Sequence, residues 1–121
     1  FDDAFPIPQS RHATFRKEDI RTNKNLVVLA QSTEAGITLV KSKDNREIFM
    51  TGHLEYDTGT LASEYFRDIE KGLDIDLPKN YFPNNNPSIM PHSYWRSTAH
   101  LFYSNWLNYY VYQQTPFNFT E

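Results

Sequence analysis

Cysteine is absent from the 121 residues. That excludes a disulfide framework, a thiolate metal site and a thiol nucleophile within this chain. A marked excess of either charge is missing too. Twelve Lys and Arg stand against fifteen Asp and Glu, a formal net charge of -3. The basic footprint of a nucleic-acid or membrane-surface partner is therefore lacking. No apolar run approaches the roughly 20 residues of a membrane span, and no signal peptide is legible. The histidines (His12, His53, His92 and His100) and the carboxylates show no zinc-ligand spacing. The first residue is not Met. Phe1-Asp2-Asp3 runs into the Pro-rich, linker-like Phe5-Pro6-Ile7-Pro8-Gln9, which reads as the inside of a longer protein. The length suits one domain that buries about two thirds of its unfolded surface.

What is present alternates between strand-like and helix-like stretches. Arg16 to Thr22 reads as a short polar helix or turn. Leu26-Val27-Val28-Leu29-Ala30 has the length and β-branching of a buried strand. Ala35-Gly36 turns the chain into Ile37 to Lys41, whose alternation predicts a half-buried strand. Asp44-Asn45-Arg46 is a turn, so residues 37–42 and 47–50 are expected to form an antiparallel hairpin. Asp57 or Thr58 can cap a helix over Leu61 to Lys71, and Gly72 closes it. Its apolar face is Leu61, Tyr65 and Ile69, widened by Ala62, Phe66 and Leu73. Residues 74–93 form a long irregular segment in which Tyr81-Phe82 would pin the chain and Asn84-Asn85-Asn86 suit left-handed turns. A helix is expected from Ser93 or Ser97 to Gln113, ended by Thr115-Pro116. Aromatic residues make up 16% of the chain and concentrate after residue 80. The helix carries little charge, so most of its faces should be covered, by the core or by a second subunit.

The stretch that carries chemistry is Thr51-Gly52-His53-Leu54-Glu55-Tyr56-Asp57. The strand-like Glu47 to Met50 enters it and the helix leaves it. Sites form at the carboxyl ends of strands in open α/β sheets. On a turn, a carboxylate two residues after an imidazole can fold back onto it. It would then fix the tautomer and support the imidazolium, as a general base requires. On local grounds a solvated His and Glu on a loop is the commoner arrangement. Ser10 likewise reads first as a turn or cap residue, Arg67 as a surface partner of Glu64 or Glu70, and His100 as a partly buried helix histidine.

These motifs, together with Glu64-Tyr65-Phe66-Arg67-Asp68, Asn80-Tyr81-Phe82-Pro83, Trp95-Arg96-Ser97, Ser104 to Gln113, and Pro6-Ile7-Pro8-Gln9-Ser10-Arg11-His12, keep one order and spacing. Together they resemble the C-terminal part of homoserine O-acyltransferases of the MetA type, over essentially the whole chain. The resemblance implies an α/β fold, the C-terminal part of a single flavodoxin-like domain akin to class I glutamine amidotransferases. It implies a Cys-His-Glu triad with His53 as general base and Glu55 as its orienting partner, and it implies that Ser10 and Arg67 contact the amino-acid substrate. The position between His53 and Glu55 is often Pro in relatives, so Leu54 departs from the pattern. The nucleophilic Cys of the family lies upstream of Phe1.

The reaction so implied is ping-pong acyl transfer from acetyl-CoA or succinyl-CoA to the hydroxyl of homoserine, in methionine biosynthesis in the cytoplasm. It needs no bound cofactor or metal, with acyl-CoA serving as co-substrate. No nucleic acid or membrane takes part, and a homodimer is plausible. The competing possibilities are a serine-using relative, an amidotransferase-like hydrolase sharing the His-x-Glu turn, and a non-catalytic piece that binds an amino acid or forms a dimerisation half.

Overall fold

The computed structural model describes residues 1–11 and 13–113. His12 and the expected helix stop at Thr115-Pro116 lie outside the described residues. The chain runs α1 (Lys17–Thr22), β1 (Leu26–Ser32), β2 (Gly36–Ser42), β3 (Ile48–Met50), α2 (Thr60–Glu70) and α3 (Arg96–Asn105), with a 3-10 turn at Pro83–Asn85. The strands form one antiparallel sheet in the order β1-β2-β3. The α/β class holds. The described strands are joined by short hairpin connections, and none of them pairs in parallel.

Burial within the sheet reverses the sequence expectation. β2, expected half-buried, is buried on both faces through Ile37, Thr38, Leu39 and Val40. Val40 breaks the alternation by placing an apolar side chain on the face of Thr38. Thr38 is itself satisfied, since its hydroxyl donates to the Ala30 carbonyl at 3.4 Å. β1, expected buried, is only partly so and is an edge strand. The register with β2 slips between Val28 and Ala30. A bulge of this kind turns a side chain out of the pleat, and Leu29 is exposed. The hairpin between β2 and β3 is as expected, with Asn45 at φ 62° and the Asp44 carboxylate accepting from Ser42 Oγ at 2.6 Å and from the Arg46 N–H at 3.0 Å.

The second buried cluster sits beside the sheet. Leu54, Leu61, Tyr81, Phe82 and Trp95 form it, with Ile7, Met50, Tyr56 and Phe102 among the side chains packed around it. Leu54 is therefore a core residue, and its side chain leaves the site to its neighbours. Neither Asp57 nor Thr58 caps α2. Gly59 holds the cap position without a side-chain bond, and the Thr60 hydroxyl accepts the Asp57 N–H at 3.1 Å. The C-terminus closes as expected at Gly72, φ 74°. Gly72 N–H donates to Ile69 O at 3.0 Å and Leu73 N–H to Asp68 O at 3.1 Å, the paired bonds of a Schellman stop. Only the first turns of the expected apolar face are buried. Leu61 is in the core, whereas Phe66, Ile69 and Leu73 remain exposed.

Residues 74–93 are irregular apart from the 3-10 turn. Tyr81 and Phe82 pin them to the body, as expected. The Tyr81 hydroxyl donates to Thr58 O at 2.5 Å and accepts from the Ala62 N–H at 3.1 Å. Asn80, Asn84 and Asn85 have positive φ, which asparagine tolerates, whereas Asn86 is extended. After Asn105 the last helix widens into a π-helical segment over Trp106–Tyr112, a rare geometry. Leu101, Trp106, Leu107, Tyr109 and Tyr112 are exposed. The core covers one side of the helix, through Ala99, Phe102 and Tyr103, and the described residues leave these other side chains uncovered. No helix among them is long and apolar enough to cross a membrane.

One close approach ties the N-terminal segment to the end of β3. Gln9 bridges antiparallel to Gly52, and the His53 N–H donates to Pro8 O at 2.8 Å. A Cβ on Gly52 would lie 2.2 Å from Ile7 Cγ2, 2.6 Å from Gln9 Nε2 and 3.1 Å from Pro8 O. Gly52→Ala should therefore destabilise the protein by about 1–3 kcal/mol, as overpacking does. Gly59→Ala, where a Cβ meets nothing within 4 Å, should stay close to wild type. Denaturant midpoints of the two variants check this, and equal midpoints would rule out the close approach.

Candidate active site

The bridge fixes where the chain leaves the sheet. Met50 ends β3, Gly52 pairs with Gln9, and the chain then turns through Leu54 and Glu55. Leu54 goes into the core, so His53 and Glu55 on either side of it are left outside. The Glu55 carboxylate folds back, and His53 Nδ1 donates to Glu55 Oε1 at 2.7 Å. The side chains are 33% and 56% exposed. A pair this open to water adds little stability. Its effect is orientation: the ring is held with Nδ1 engaged, which leaves Nε2 to take a proton.

Two further residues, not assigned from the sequence, complete the support. The Tyr56 ring stacks on the His53 imidazole, with centroids 4.4 Å apart and planes 12° from parallel. The Tyr56 hydroxyl donates to Glu64 Oε1, one turn into α2, at 2.8 Å. Burial raises the Tyr56 phenol above its ordinary range, and the hydrogen bond and charge of Glu64 add to this. Ser10 acts in the opposite direction. From behind, Trp95 Nε1 donates to the Tyr56 carbonyl at 2.9 Å. Tyr103 on α3 has its phenol raised by burial and, secondarily, by the charge of Glu55.

Of the residues proposed from sequence, His53 and Glu55 are brought into contact. Ser10 is next to Gln9 of the bridge, on the side of Tyr56, whose phenol it influences. Arg67 stands on α2 three residues after Glu64, within the fields of Glu64 and Tyr56. Arg67 does not bond the expected Glu64 or Glu70. Its Nε donates to Asp68 Oδ1 at 3.0 Å, which raises its pKa and leaves the side chain largely in water. His100 is exposed rather than partly buried, since α3 turns it away from the core. A cleft of about 240 Å³ opens on the Glu55 side, between the turn and the start of α3, with Asp57, Trp95, Arg96 and His100 in its wall. Ser10, His53 and Arg67 do not line it. Arg11 bonds the Thr51 hydroxyl and the Ala35 carbonyl, which fastens the strand just before the turn. Among the described residues no group of three His, Asp or Glu could hold a metal ion.

A family model described as homoserine O-succinyltransferase matches residues 1–117. The chain belongs to the homoserine O-succinyltransferase family. It is 53% identical over 118 residues to a homoserine O-acetyltransferase of Petrotoga mobilis, covering 98% of this chain and 38% of that protein. It is 55% identical over 117 residues to homoserine O-acetyltransferase 1 of Ilyobacter polytropus, covering 97% and 39%. It is 53% identical over 120 residues to a homoserine O-succinyltransferase of Photorhabdus laumondii, covering 99% and 39%. The chain thus spans about two fifths of the length of these curated relatives, which are acyltransferases by name. Relatives named for either acyl group match equally well, so similarity does not choose between acetyl and succinyl.

The Tyr56 geometry gives a pH dependence with a defined sign. Its phenol is raised in the folded state, so the neutral form is favoured there. The stability contributed is fully present below the ordinary value of about 10 and is lost as pH rises through the higher folded value. Tyr81 and Tyr103 are raised as well. The thermal midpoint should therefore fall between pH 9 and pH 11.5, and fall less in Tyr56→Phe, which removes one of the three. An equal fall in both proteins would contradict the buried phenol.

Proposed function

We propose that the protein carrying this chain is a homoserine O-acyltransferase and that His53 and Glu55 are the base and its orienting partner. One observation supports it above the rest: in a member of this family, His53 Nδ1 lies 2.7 Å from Glu55 Oε1 on the turn that leaves β3. The nucleophile in this proposal is a cysteine thiolate from outside these 121 residues. The domain it completes is flavodoxin-like and amidotransferase-like, with the antiparallel meander as one part. The thiolate attacks the thioester carbonyl of acetyl-CoA or succinyl-CoA. CoA leaves as the thiol, and an acyl-cysteine thioester remains. Nε2 of His53 takes the thiol proton and delivers it to the departing CoA sulfur. The homoserine hydroxyl then loses its proton to the same nitrogen and attacks the acyl carbonyl. The O-acyl ester forms, and the thiolate is released.

Glu55 supports the imidazolium at each proton transfer without itself being protonated. Ser10 and Arg67 orient the amino-acid end of homoserine, and a guanidinium suits its carboxylate. The product enters methionine biosynthesis, in the cytoplasm. No step requires a bound metal or cofactor. The intact mass of the protein is expected to rise by one acyl group with acetyl-CoA or with succinyl-CoA. His53→Ala should reduce turnover by at least a thousandfold. Arg67→Ala should raise the homoserine KM about tenfold or more and leave adduct formation intact. The absence of an adduct with both donors, or a His53→Ala protein of near-normal turnover, would end the acyltransferase assignment.

A further inference from the structure

A second cleft, of about 300 Å³, opens in the irregular segment after α2 and plays no part in holding the base. Asn80, Asn84, Asn85 and Tyr94 line it, together with the buried Tyr81 and Phe82. None of its lining side chains carries a charge. Its volume is at the lower end of small-molecule sites. Positive φ explains asparagine at 80, 84 and 85 as a backbone choice, but glycine would meet that need. The amides add something that glycine lacks. Asn85 Oδ1 accepts the Asn80 N–H at 3.0 Å, and Asn80 Nδ2 donates to Glu34 Oε2 at 3.3 Å. These partners fix which end of each amide is left over: a carbonyl oxygen on Asn80 and an amino group on Asn85.

An acceptor and a donor beside an aromatic ring suit a flat, neutral heterocycle with a donor next to an acceptor. Adenine is such a group. Its N6 amino group and N7 form the pair that asparagine amides read, and its face stacks on aromatic side chains. Tyr94 is 62% exposed, so its ring has surface to offer a base. Of the reactants in the proposed transfer, homoserine and the CoA phosphates are charged and call for charged receptors. The pantetheine arm is neutral but not flat. The adenine of acyl-CoA is both. The cleft is also tied to the brace of the base. The Tyr81 hydroxyl bonds Thr58 O and the Ala62 N–H, and its ring lies 6.4 Å from that of Trp95, which bonds the Tyr56 carbonyl. CoA carries its base and its thioester at opposite ends of a long flexible arm, so it requires a base pocket outside the reacting centre.

We propose that this cleft receives the adenine base of the acyl-CoA donor, with Tyr94 stacking on its face and Asn80 and Asn85 reading its edge. The inference rests on the acyltransferase assignment and gives that reaction a contact for the far end of its donor. Asn80 Oδ1 accepts from the N6 amino group, and Asn85 Nδ2 donates to the neighbouring ring nitrogen. A base with a carbonyl oxygen in place of the amino group sets two acceptors against each other at Asn80 and binds less well.

The test is equilibrium titration of the full-length protein with adenosine 3′,5′-bisphosphate, the nucleotide end of CoA without its arm, and with the inosine counterpart. Wild type should bind the adenosine form saturably and prefer it about fivefold, the scale of one hydrogen bond. Tyr94→Ala should weaken binding about tenfold, the loss of one base stack, and Tyr94→Phe should restore it. Asn80→Gly, which keeps the positive φ, should bring the preference towards one. Absence of saturable binding, an unchanged affinity in Tyr94→Ala, or a preference that survives in Asn80→Gly overturns the proposal. Transfer is read separately, as the acyl adduct formed from acetyl-CoA and from acetyl-pantetheine, which lacks the nucleotide. Tyr94→Ala should raise the acetyl-CoA concentration required and leave that of acetyl-pantetheine unchanged. An equal rise for both donors overturns the base pocket and leaves the acyltransferase assignment standing. Adduct from neither donor, beside nucleotide binding that depends on Tyr94, ends the acyltransferase assignment and upholds the base pocket.

Discussion

The contact on which the site depends is the crossing of two backbones at Gly52. Pro8 O accepts the His53 N–H at 2.8 Å and Gln9 pairs with Gly52. A segment from the very start of the chain thus serves as a local strand partner for the turn after β3. That crossing fixes the direction in which His53 leaves the sheet. It also fixes the chain position of Ser10, the next residue along. Without a side chain at residue 52 the two backbones approach to a distance that any Cβ would forbid. The constraint is steric first and electrostatic second. The exposed His-Glu pair could not hold itself in place against water.

Three elements supply the support behind it. The turn gives His53 and Glu55, with Leu54 driven inward as an anchor. α2 gives Glu64, which holds the Tyr56 phenol. The irregular segment and the start of α3 give Trp95, which holds the Tyr56 peptide. Tyr56 is the common member. Its ring, hydroxyl and carbonyl each meet a different partner, so the imidazole is braced through one residue. Fixing a base by packing and by bonds to its neighbours is the general way a proton acceptor is kept in productive geometry.

Much of this was legible in the residues. The hairpin around Asn45, the Gly72 stop and the pinning role of Tyr81-Phe82 follow from turn chemistry and local composition. His53 and Glu55 were legible because a two-residue separation on a turn allows the fold-back. Other features were not. β1 and β2 exchanged burial because strand order and a bulge at Leu29 are tertiary facts, invisible to a local apolar count. The α2 cap fell to Gly59, one residue beyond the two candidates that local composition offers. Arg67 bonds its own neighbour, Asp68, a short-range choice that helix spacing does not foresee. Tyr56 and Glu64 stand in the quoted motifs, but their link spans a turn and a helix start. Only the fold shows that one residue's ring and another's carboxylate serve the same imidazole.

The chain has two tryptophans, and the fold treats them differently. Trp95 is buried with its indole N–H bonded to the Tyr56 carbonyl, whereas Trp106 is exposed. An indole in a dry, apolar setting emits at shorter wavelength than one in water, so their fluorescence is separable. The blue component belongs to the peptide that carries the brace of the base. This chain thus contains its own optical gauge of whether that turn is seated, readable in solution without a label.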